Sequence, residues 1–107
     1  MTTFDQREKA FEDKFVHDDH MLFMAKARSL RALGLWAAKK LGKDPEEAVT
    51  YAEALVQLDI DKPGQNAVFS RIRQDFDAAR LTDTDASIHK QMEDLLAQSV
   101  ENLRKNG

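Results

Sequence analysis

The spacing of the large apolar residues changes near residue 20. Up to Leu22, four of them follow one another at intervals of seven, four and seven, which places them in one narrow stripe along a helix: Phe4, Phe11, Phe15 and Leu22. Beyond it the apolar positions cover more than half of the helix circumference, which is typical of a helix packed in a core: Leu22, Phe23, Ala27, Leu30, Leu33, Leu35, Trp36, Ala37 and Leu41. The two patterns predict one long first helix over residues 3–41, with a hinge or fraying point at residues 16–20.

Three further helices are predicted by apolar residues at intervals of three and four. The second begins where Asp44 can cap a helix, Pro45 occupies its first position and Glu47 its third, and residues 59–64 break it. The fourth restarts at residues 82–85. The three apolar stripes are, in order, Ala48, Tyr51, Ala52, Leu55 and Leu58; Val68, Phe69, Ile72, Phe76 and Ala79; and Ile88, Met92, Leu95, Leu96, Ser99 and Leu103. With no strand alternation between them, they predict an all-α four-helix bundle.

The first helix is too long for such a bundle. Residues 3–41 would span roughly 58 Å as one helix, whereas the second helix, with about 15 residues, would span only about 22 Å. The first turns would therefore extend beyond the bundle, and isolated helices of this length are marginal in water. We expect residues 1–19 to form a mobile N-terminal segment and residues 20–107 to form the four-helix bundle.

Composition narrows the class of protein. With 107 residues the chain fits one small domain, and with no cysteine it has no disulfide scaffold and no thiolate site. No run approaches the roughly 18 apolar residues of a membrane span, and the acidic start does not resemble a signal peptide. We therefore expect a soluble, cytoplasmic protein without direct membrane insertion.

Charge is distributed in three blocks. Residues 1–20 hold six acidic and three basic side chains, residues 21–43 hold six basic and no acidic ones, and the remainder holds thirteen acids and seven bases. The basic block could bind a membrane surface, nucleic acid or an anion such as a nucleotide phosphate, with Arg28 and Arg31 as candidate ligands. Alternatively, its apolar face packs in the bundle while its cations face water or the acidic surfaces of the other helices. The net charge of −3 argues against nucleic acid as a partner.

The sequence contains no recognisable set of catalytic residues. It lacks a glycine-rich phosphate loop, a serine in a nucleophile elbow and any cysteine, so we expect no enzyme activity. His17-Asp18-Asp19-His20 places two imidazoles three residues apart, but a structural zinc ion needs about four ligands and only His89 adds another imidazole. We interpret this run as solvated helix surface and expect no metal.

The phenylalanine stripe is the strongest indication of a binding function. Phe4, Phe11 and Phe15 lie on a highly charged segment outside the predicted bundle, which is typical of a helix that binds in a groove of a larger partner. The run Thr2-Thr3-Phe4-Asp5-Gln6-Arg7-Glu8-Lys9-Ala10-Phe11-Glu12-Asp13-Lys14-Phe15, followed by His17-Asp18, resembles the opening of the ATPase inhibitor subunit ζ of bacterial F-type ATP synthases. Leu33-Gly34-Leu35-Trp36-Ala37-Ala38 and Leu41-Gly42 resemble the next marked segment of that family. Gln6 departs from the acidic residue expected at its position.

The resemblance implies a four-helix bundle whose mobile N-terminal segment inserts into a catalytic α/β interface of the ATP synthase, near the rotor subunit γ, and blocks ATP hydrolysis. In this sequence the inhibitory segment is residues 1 to about 19. We expect scaffold roles for Leu30, Trp36 and the apolar stripes of the second, third and fourth helices. Within the segment, three aromatic side chains would bury apolar area and six charged ones would set the register: Phe4, Phe11 and Phe15, then Asp5, Arg7, Glu8, Lys9, Glu12 and Lys14.

The resemblance also sets expectations about ligands and location. Members of the family can bind an adenine nucleotide in the bundle, so ADP or ATP is a candidate ligand, although no cofactor is required and no residue identifies the pocket. The protein would act in the cytoplasm, peripheral to the inner membrane through the ATP synthase, and its free form would be a monomer. Two alternatives stay open: a nucleotide-sensing bundle whose N-terminal helix folds back as a lid, and a helical adaptor with an unrelated partner.

Overall fold

The computed structural model describes residues 19–63 and 66–106. This part of the chain contains four α-helices and no strand: α1 Asp19–Lys40, α2 Pro45–Asp61, α3 Ala67–Ala78 and α4 Asp85–Asn106. The predicted all-α fold of four helices is confirmed. Residues 1–18, with most of the predicted mobile segment and hinge, lie outside the described residues, so the boundary between residues 19 and 20 stays a prediction.

A glycine ends α1, and the capping box that the sequence predicts begins α2. Gly42 has a φ of 77°, a left-handed conformation that glycine adopts without a side-chain clash. The Lys43 N–H donates to the Ala38 carbonyl oxygen at 3.0 Å, which gives the last turn of α1 a partner. Asp44 Oδ1 then accepts from the Glu47 N–H at 2.8 Å, and Glu47 Oε1 accepts from the Asp44 N–H at 3.2 Å.

The end of α2 lies further along the chain than predicted. The break was expected to begin at Asp59, but the helix continues to Asp61. The reason is that Pro63 restricts only the residue before it, so the backbone up to Asp61 remains free to be helical. The Lys62 N–H still donates to the Leu58 carbonyl oxygen at 2.9 Å.

The connection from α3 to α4 uses a left-handed residue that is not glycine. Arg80 has a φ of 60°, and the next N–H, from Leu81, donates to the Phe76 carbonyl oxygen at 2.9 Å. Leu81 is half-buried and packs against the core. Thr84 Oγ1 then accepts from the Ser87 N–H at 3.1 Å and caps α4, within the predicted restart at residues 82–85.

The core lies where all four helices meet, with α1 packed on both α2 and α4. Trp36 is half-buried beside Phe76, with ring centroids 5.7 Å apart, in agreement with a scaffold role. The largest fully buried side chains come from every helix: Leu33, Leu55, Ile72, Phe76 and Ile88. Most residues of the apolar stripes predicted for α2, α3 and α4 therefore converge on one core.

The backbones of α1 and α2 come into contact at Gly34. A Cβ atom added there would lie 2.4 Å from the Cα atom of Ala52, well inside a normal carbon–carbon contact. The missing side chain of Gly34 therefore sets the distance between the two helices.

Three residues of α1 that the sequence assigned to the core are exposed: Leu22, Phe23 and Leu35. Two members of the later apolar stripes are exposed as well: Ala79, which follows the end of α3, and Leu96 on α4. Phe23 lies on the side of α1 that α2 covers further along, but α2 ends at Asp61 and leaves the first turns of α1 uncovered. Leu22 lies in the same turns. Leu35 follows Gly34 and is therefore rotated by about 100° from the contact with α2.

Candidate partner-binding surface

The predicted partner-binding residues stand outside the described residues. The structure tests none of these assignments, which stay predictions. The structure does describe the surface of the bundle at the start of α1, which follows the predicted binding residues directly in the sequence. The assigned residues are Phe4, Asp5, Arg7, Glu8, Lys9, Phe11, Glu12, Lys14 and Phe15.

A shallow groove lies between the first turns of α1 and the last turns of α2. Its main cavity, of about 200 Å³, is lined by Phe23, Met24, Ala27, Arg28, Arg31 and Val56. A smaller depression of about 30 Å³ shares Phe23, Ala27 and Val56 and extends to Asp59 and Ile60. Phe23 is 60% exposed and Ile60 is 51% exposed, so the groove presents large apolar side chains to solvent. We call this surface the Phe23 groove.

The Phe23 groove is positively charged. Lys26 and Asp59 neutralise each other across it, with Nζ 3.5 Å from Oδ2. Arg28 and Arg31 form no side-chain hydrogen bond or ion pair with any residue that the structure describes, and none of the residues lining the main cavity is acidic. Two guanidinium groups therefore face an open cavity.

A second crevice, of about 430 Å³, surrounds Tyr51 near the start of α2. The Tyr51 hydroxyl donates to Asp75 Oδ2 at 2.7 Å, and Arg71 Nε donates to the same oxygen at 2.9 Å. Burial of the phenol, together with its bond to Asp75 and the charge of that carboxylate, raises the pKa of Tyr51 above the usual tyrosine value. The hydroxyl therefore stays protonated at neutral pH and cannot act as a base. The network connects α2 to α3, and Asp44, Glu46 and Glu47 line the crevice beside it.

A third crevice, of about 220 Å³, separates α1 from α4 and is lined by Lys26, Ser29, Leu30, Leu33, His89, Met92, Glu93 and Leu96. His89 stacks on Phe69 with ring centroids 4.1 Å apart. Within the described ranges, no group of three His, Asp or Glu side chains could hold a metal ion. His17 lies outside those ranges, so the expectation about metal at residues 17–20 stays a prediction.

The chemistry of these surfaces suits binding. No helix in the described part of the chain has the length and apolar character needed to cross a membrane. The Phe23 groove combines exposed apolar side chains with positive charge, which suits a protein segment with apolar and acidic residues or an anionic small molecule. Binding of ADP or ATP stays a prediction.

Comparison with known families decides the identity of the chain. The sequence model of the family described as ATPase inhibitor subunit zeta matches residues 1–102, nearly the whole length. The chain belongs to this family. The match begins at residue 1, so it includes the phenylalanine stripe of this zeta-family chain as well as its bundle. No curated protein is similar enough to the chain to count as a match.

The Phe23 groove was not predictable from the apolar pattern of the chain. Phe23 and Ala27 were expected in the core because their spacing continues that of the buried residues further along α1, and Ile60 was expected in the break after α2. A usable signal was the pair Arg28 and Arg31, which follow Met24 at intervals of four and seven on one side of the helix, in a block without acidic residues. The position of the end of α2, which uncovers Phe23, could not be obtained from α1 alone.

Proposed function

We propose that this zeta-family chain inhibits ATP hydrolysis by an F-type ATP synthase, inserting residues 1 to about 19 into a catalytic α/β interface near the rotor. The observation that carries the proposal is the family match over residues 1–102, which includes the phenylalanine stripe and whose description is that of an ATPase inhibitor. The partner is the peripheral catalytic part of the enzyme, formed by α, β and γ subunits, which the chain reaches from the cytoplasm.

The packing of the bundle supports a separation of roles. Buried apolar residues of the described part extend from Ala25 to Leu103. Among the described residues, no buried side-chain nitrogen or oxygen atom lacks a hydrogen-bond partner. A core of this extent stabilises the bundle without the phenylalanine stripe. The stripe is therefore available to bind the partner.

Aromatic and charged residues of the segment have different tasks in this mechanism. Fully burying a phenylalanine side chain gains about 1.5–3 kcal/mol, so Phe4, Phe11 and Phe15 act as anchors in pockets of the partner. The six charged residues named above set the register and the rate of association. Ordering the segment on binding costs free energy, so the measured affinity is what the anchors provide beyond that cost.

Deletion of residues 1–18 tests the mechanism directly. The deleted protein should remain helical and cooperatively folded but should no longer inhibit ATP hydrolysis by the purified catalytic complex. Circular dichroism melts check the fold, and a hydrolysis assay at matched concentrations measures inhibition. Leu96→Ala on α4 serves as a control, because it removes a partly exposed apolar side chain outside the segment. Full inhibition by the folded, deleted protein would refute the inserted-segment mechanism.

Single substitutions then separate anchors from charges. Each of Phe4→Ala, Phe11→Ala and Phe15→Ala should weaken inhibition by roughly 1–4 kcal/mol. Lys14→Ala should act mainly on the association rate and its salt dependence, whereas Lys90→Ala, a matched exposed lysine on α4, should not. If all three phenylalanine variants inhibit as well as the unmodified chain, the anchoring role is wrong.

A further inference from the structure

We propose that the Phe23 groove is a second docking surface, which binds a segment of the same ATP synthase that presents an apolar side chain beside acidic residues. The inference rests on the proposed function for the identity of the partner. It assigns a binding role to the bundle in addition to the inserted segment.

The first support is the concentration of exposed apolar area at one end of the bundle. Leu22, Phe23 and Ile60 are 45%, 60% and 51% exposed, respectively. Lys26 on α1 and Asp59 on α2 form an ion pair here, so the first turns of α1 lie beside the last turns of α2. Single exposed apolar residues are ordinary, but neighbouring ones beside a groove are typical of an interaction site.

The second support is continuity along the chain. α1 begins at Asp19, directly after the segment that the proposed function places in the partner. Phe23 lies four residues further on, about 6 Å along the helix axis. When residues 1–18 occupy the partner, the Phe23 groove is therefore held within one or two helical turns of the partner's surface.

The third support is charge. Arg28 and Arg31 are one turn apart and line the cavity without an acidic neighbour among its lining residues. Neither guanidinium group has an ion pair with a described residue, and desolvating both against an apolar surface would be costly, so the matching surface must supply carboxylates. An acidic segment with an apolar anchor meets both requirements of the groove.

Two other occupants fit less well. A nucleotide favours an enclosed pocket of about 300–1,000 Å³, whereas the groove is open and its main cavity measures about 200 Å³. Residues 1–18 of the same chain are acidic, but residues 1–33 contain no glycine or proline, the residues that most favour a sharp chain reversal. A segment of the partner protein is therefore the occupant that the groove favours.

Substitutions in the full chain measure the contribution of the groove. The double variant Arg28→Gln/Arg31→Gln should raise the concentration needed for half-inhibition about tenfold and reduce its salt dependence. Lys39→Gln, an exposed lysine on the same helix beyond the groove, is the matched control and should leave inhibition unchanged. Phe23→Ala should also weaken inhibition about tenfold, against Leu96→Ala as its control. Melting temperatures of the double arginine variant and of Lys39→Gln should match that of the unmodified chain, and Phe23→Ala and Leu96→Ala should both remain cooperatively folded.

Photo-cross-linking supplies a readout independent of inhibition. A benzophenone amino acid replacing Phe23 in the full chain should cross-link to an α, β or γ subunit, and the same group replacing Leu96 should not. Unchanged inhibition by the groove variants and no cross-link from position 23, with Phe11→Ala defective, would overturn the groove and leave the proposed function standing. A cross-link from position 23, together with full inhibition by the folded protein that lacks residues 1–18, would support the groove and refute the inserted segment.

Amide chemical shifts of the free full chain test the two other occupants. Shifts centred on Arg28 and Arg31 on addition of ADP, with normal inhibition by the double variant, would assign the groove to a nucleotide. Shifts at the groove caused by Phe11→Ala in the free chain would assign it to residues 1–18. Either result would overturn the inference.

Discussion

Replacement of Gly34 by alanine should destabilise the bundle, although alanine is the better helix former. At an exposed helical position the change would stabilise the fold by about 1 kcal/mol. At Gly34 the new Cβ atom would lie 2.4 Å from Ala52 Cα and 2.9 Å from Ala52 Cβ. Carbon atoms normally meet at about 3.5–4.0 Å, so the two effects oppose each other and their sizes decide the outcome.

The steric cost should exceed the gain in helix propensity. No change of rotamer can relieve the contact, because the atom that the new methyl group meets belongs to the backbone of α2. The helices must separate by about 1 Å, which loosens the packing of Leu33, Ala38 and Leu55, each at most 1% exposed. Overpacking costs about 1–3 kcal/mol, and a contact with the backbone belongs at the upper end of that range. Subtracting the gain of about 1 kcal/mol in helix propensity leaves a net loss of about 2 kcal/mol in the free energy of unfolding. For a domain of this size, Tm should fall by about 8–16 °C.

Thermal and urea unfolding, followed by the helical circular dichroism signal, measure this loss. The double variant Gly34→Ala/Ala52→Gly is an internal test, because it removes the contact with the Ala52 Cβ atom and keeps the shorter one with its Cα atom. The double variant should therefore not recover the original Tm. An unchanged or higher Tm for Gly34→Ala would refute the close crossing of α1 and α2.

Two further predictions concern the end of α3 and the Tyr51 network. Arg80→Gly should raise the free energy of unfolding by about 1 kcal/mol because it relieves a left-handed residue, whereas Arg80→Ala, which keeps the same φ, should leave the thermal melt nearly unchanged. Tyr51, the single tyrosine of the chain, should ionise above the usual pKa of about 10 in an ultraviolet absorbance titration, and Asp75→Asn should lower its pKa. The unfolded chain loses this proton first, so the stabilisation is present at neutral pH and is lost as the pH rises above the usual tyrosine value. Ionisation of Tyr51 at its usual pKa in the folded protein would contradict the buried hydrogen bond.

The helix ends were predictable because the interactions that form them are local. Asp44 and Glu47 make their two reciprocal hydrogen bonds within one turn. The left-handed conformation of Gly42 requires only that this residue has no side chain. The left-handed conformation of Arg80 was not predictable in this way, because arginine carries no preference for it. There the burial of Leu81 and the bond from its N–H to Phe76 hold the chain in a geometry that its sequence does not favour.

Burial along α1 was only partly predictable because it depends on the length of the neighbouring helices. Phe23 and Leu33 belong to the same apolar pattern, yet Leu33 is 1% exposed and Phe23 is 60% exposed. The difference arises because α2 ends at Asp61, after passing Leu33 and before covering Phe23. The pattern of α1 therefore predicted which residues are apolar enough for burial, and the end of another helix determined which of them are buried.

The ion pairs of the basic block, residues 21–43, also depend on the neighbouring helices and were only partly predictable. The sequence left open whether its cations pair within the bundle or serve a ligand, and the structure divides them: Lys40 lies 3.0 Å from Asp83, whereas Arg28 and Arg31 have no ion pair with a described residue. An exposed ion pair contributes only about 0.2–1 kcal/mol, so even the paired lysines give the fold little. Two unpaired arginines beside Phe23 give it less, and their mutual repulsion opposes folding slightly. Their placement is therefore better explained by association with an acidic surface than by stability, which is why neutralising them should change inhibition and leave the melting temperature unchanged.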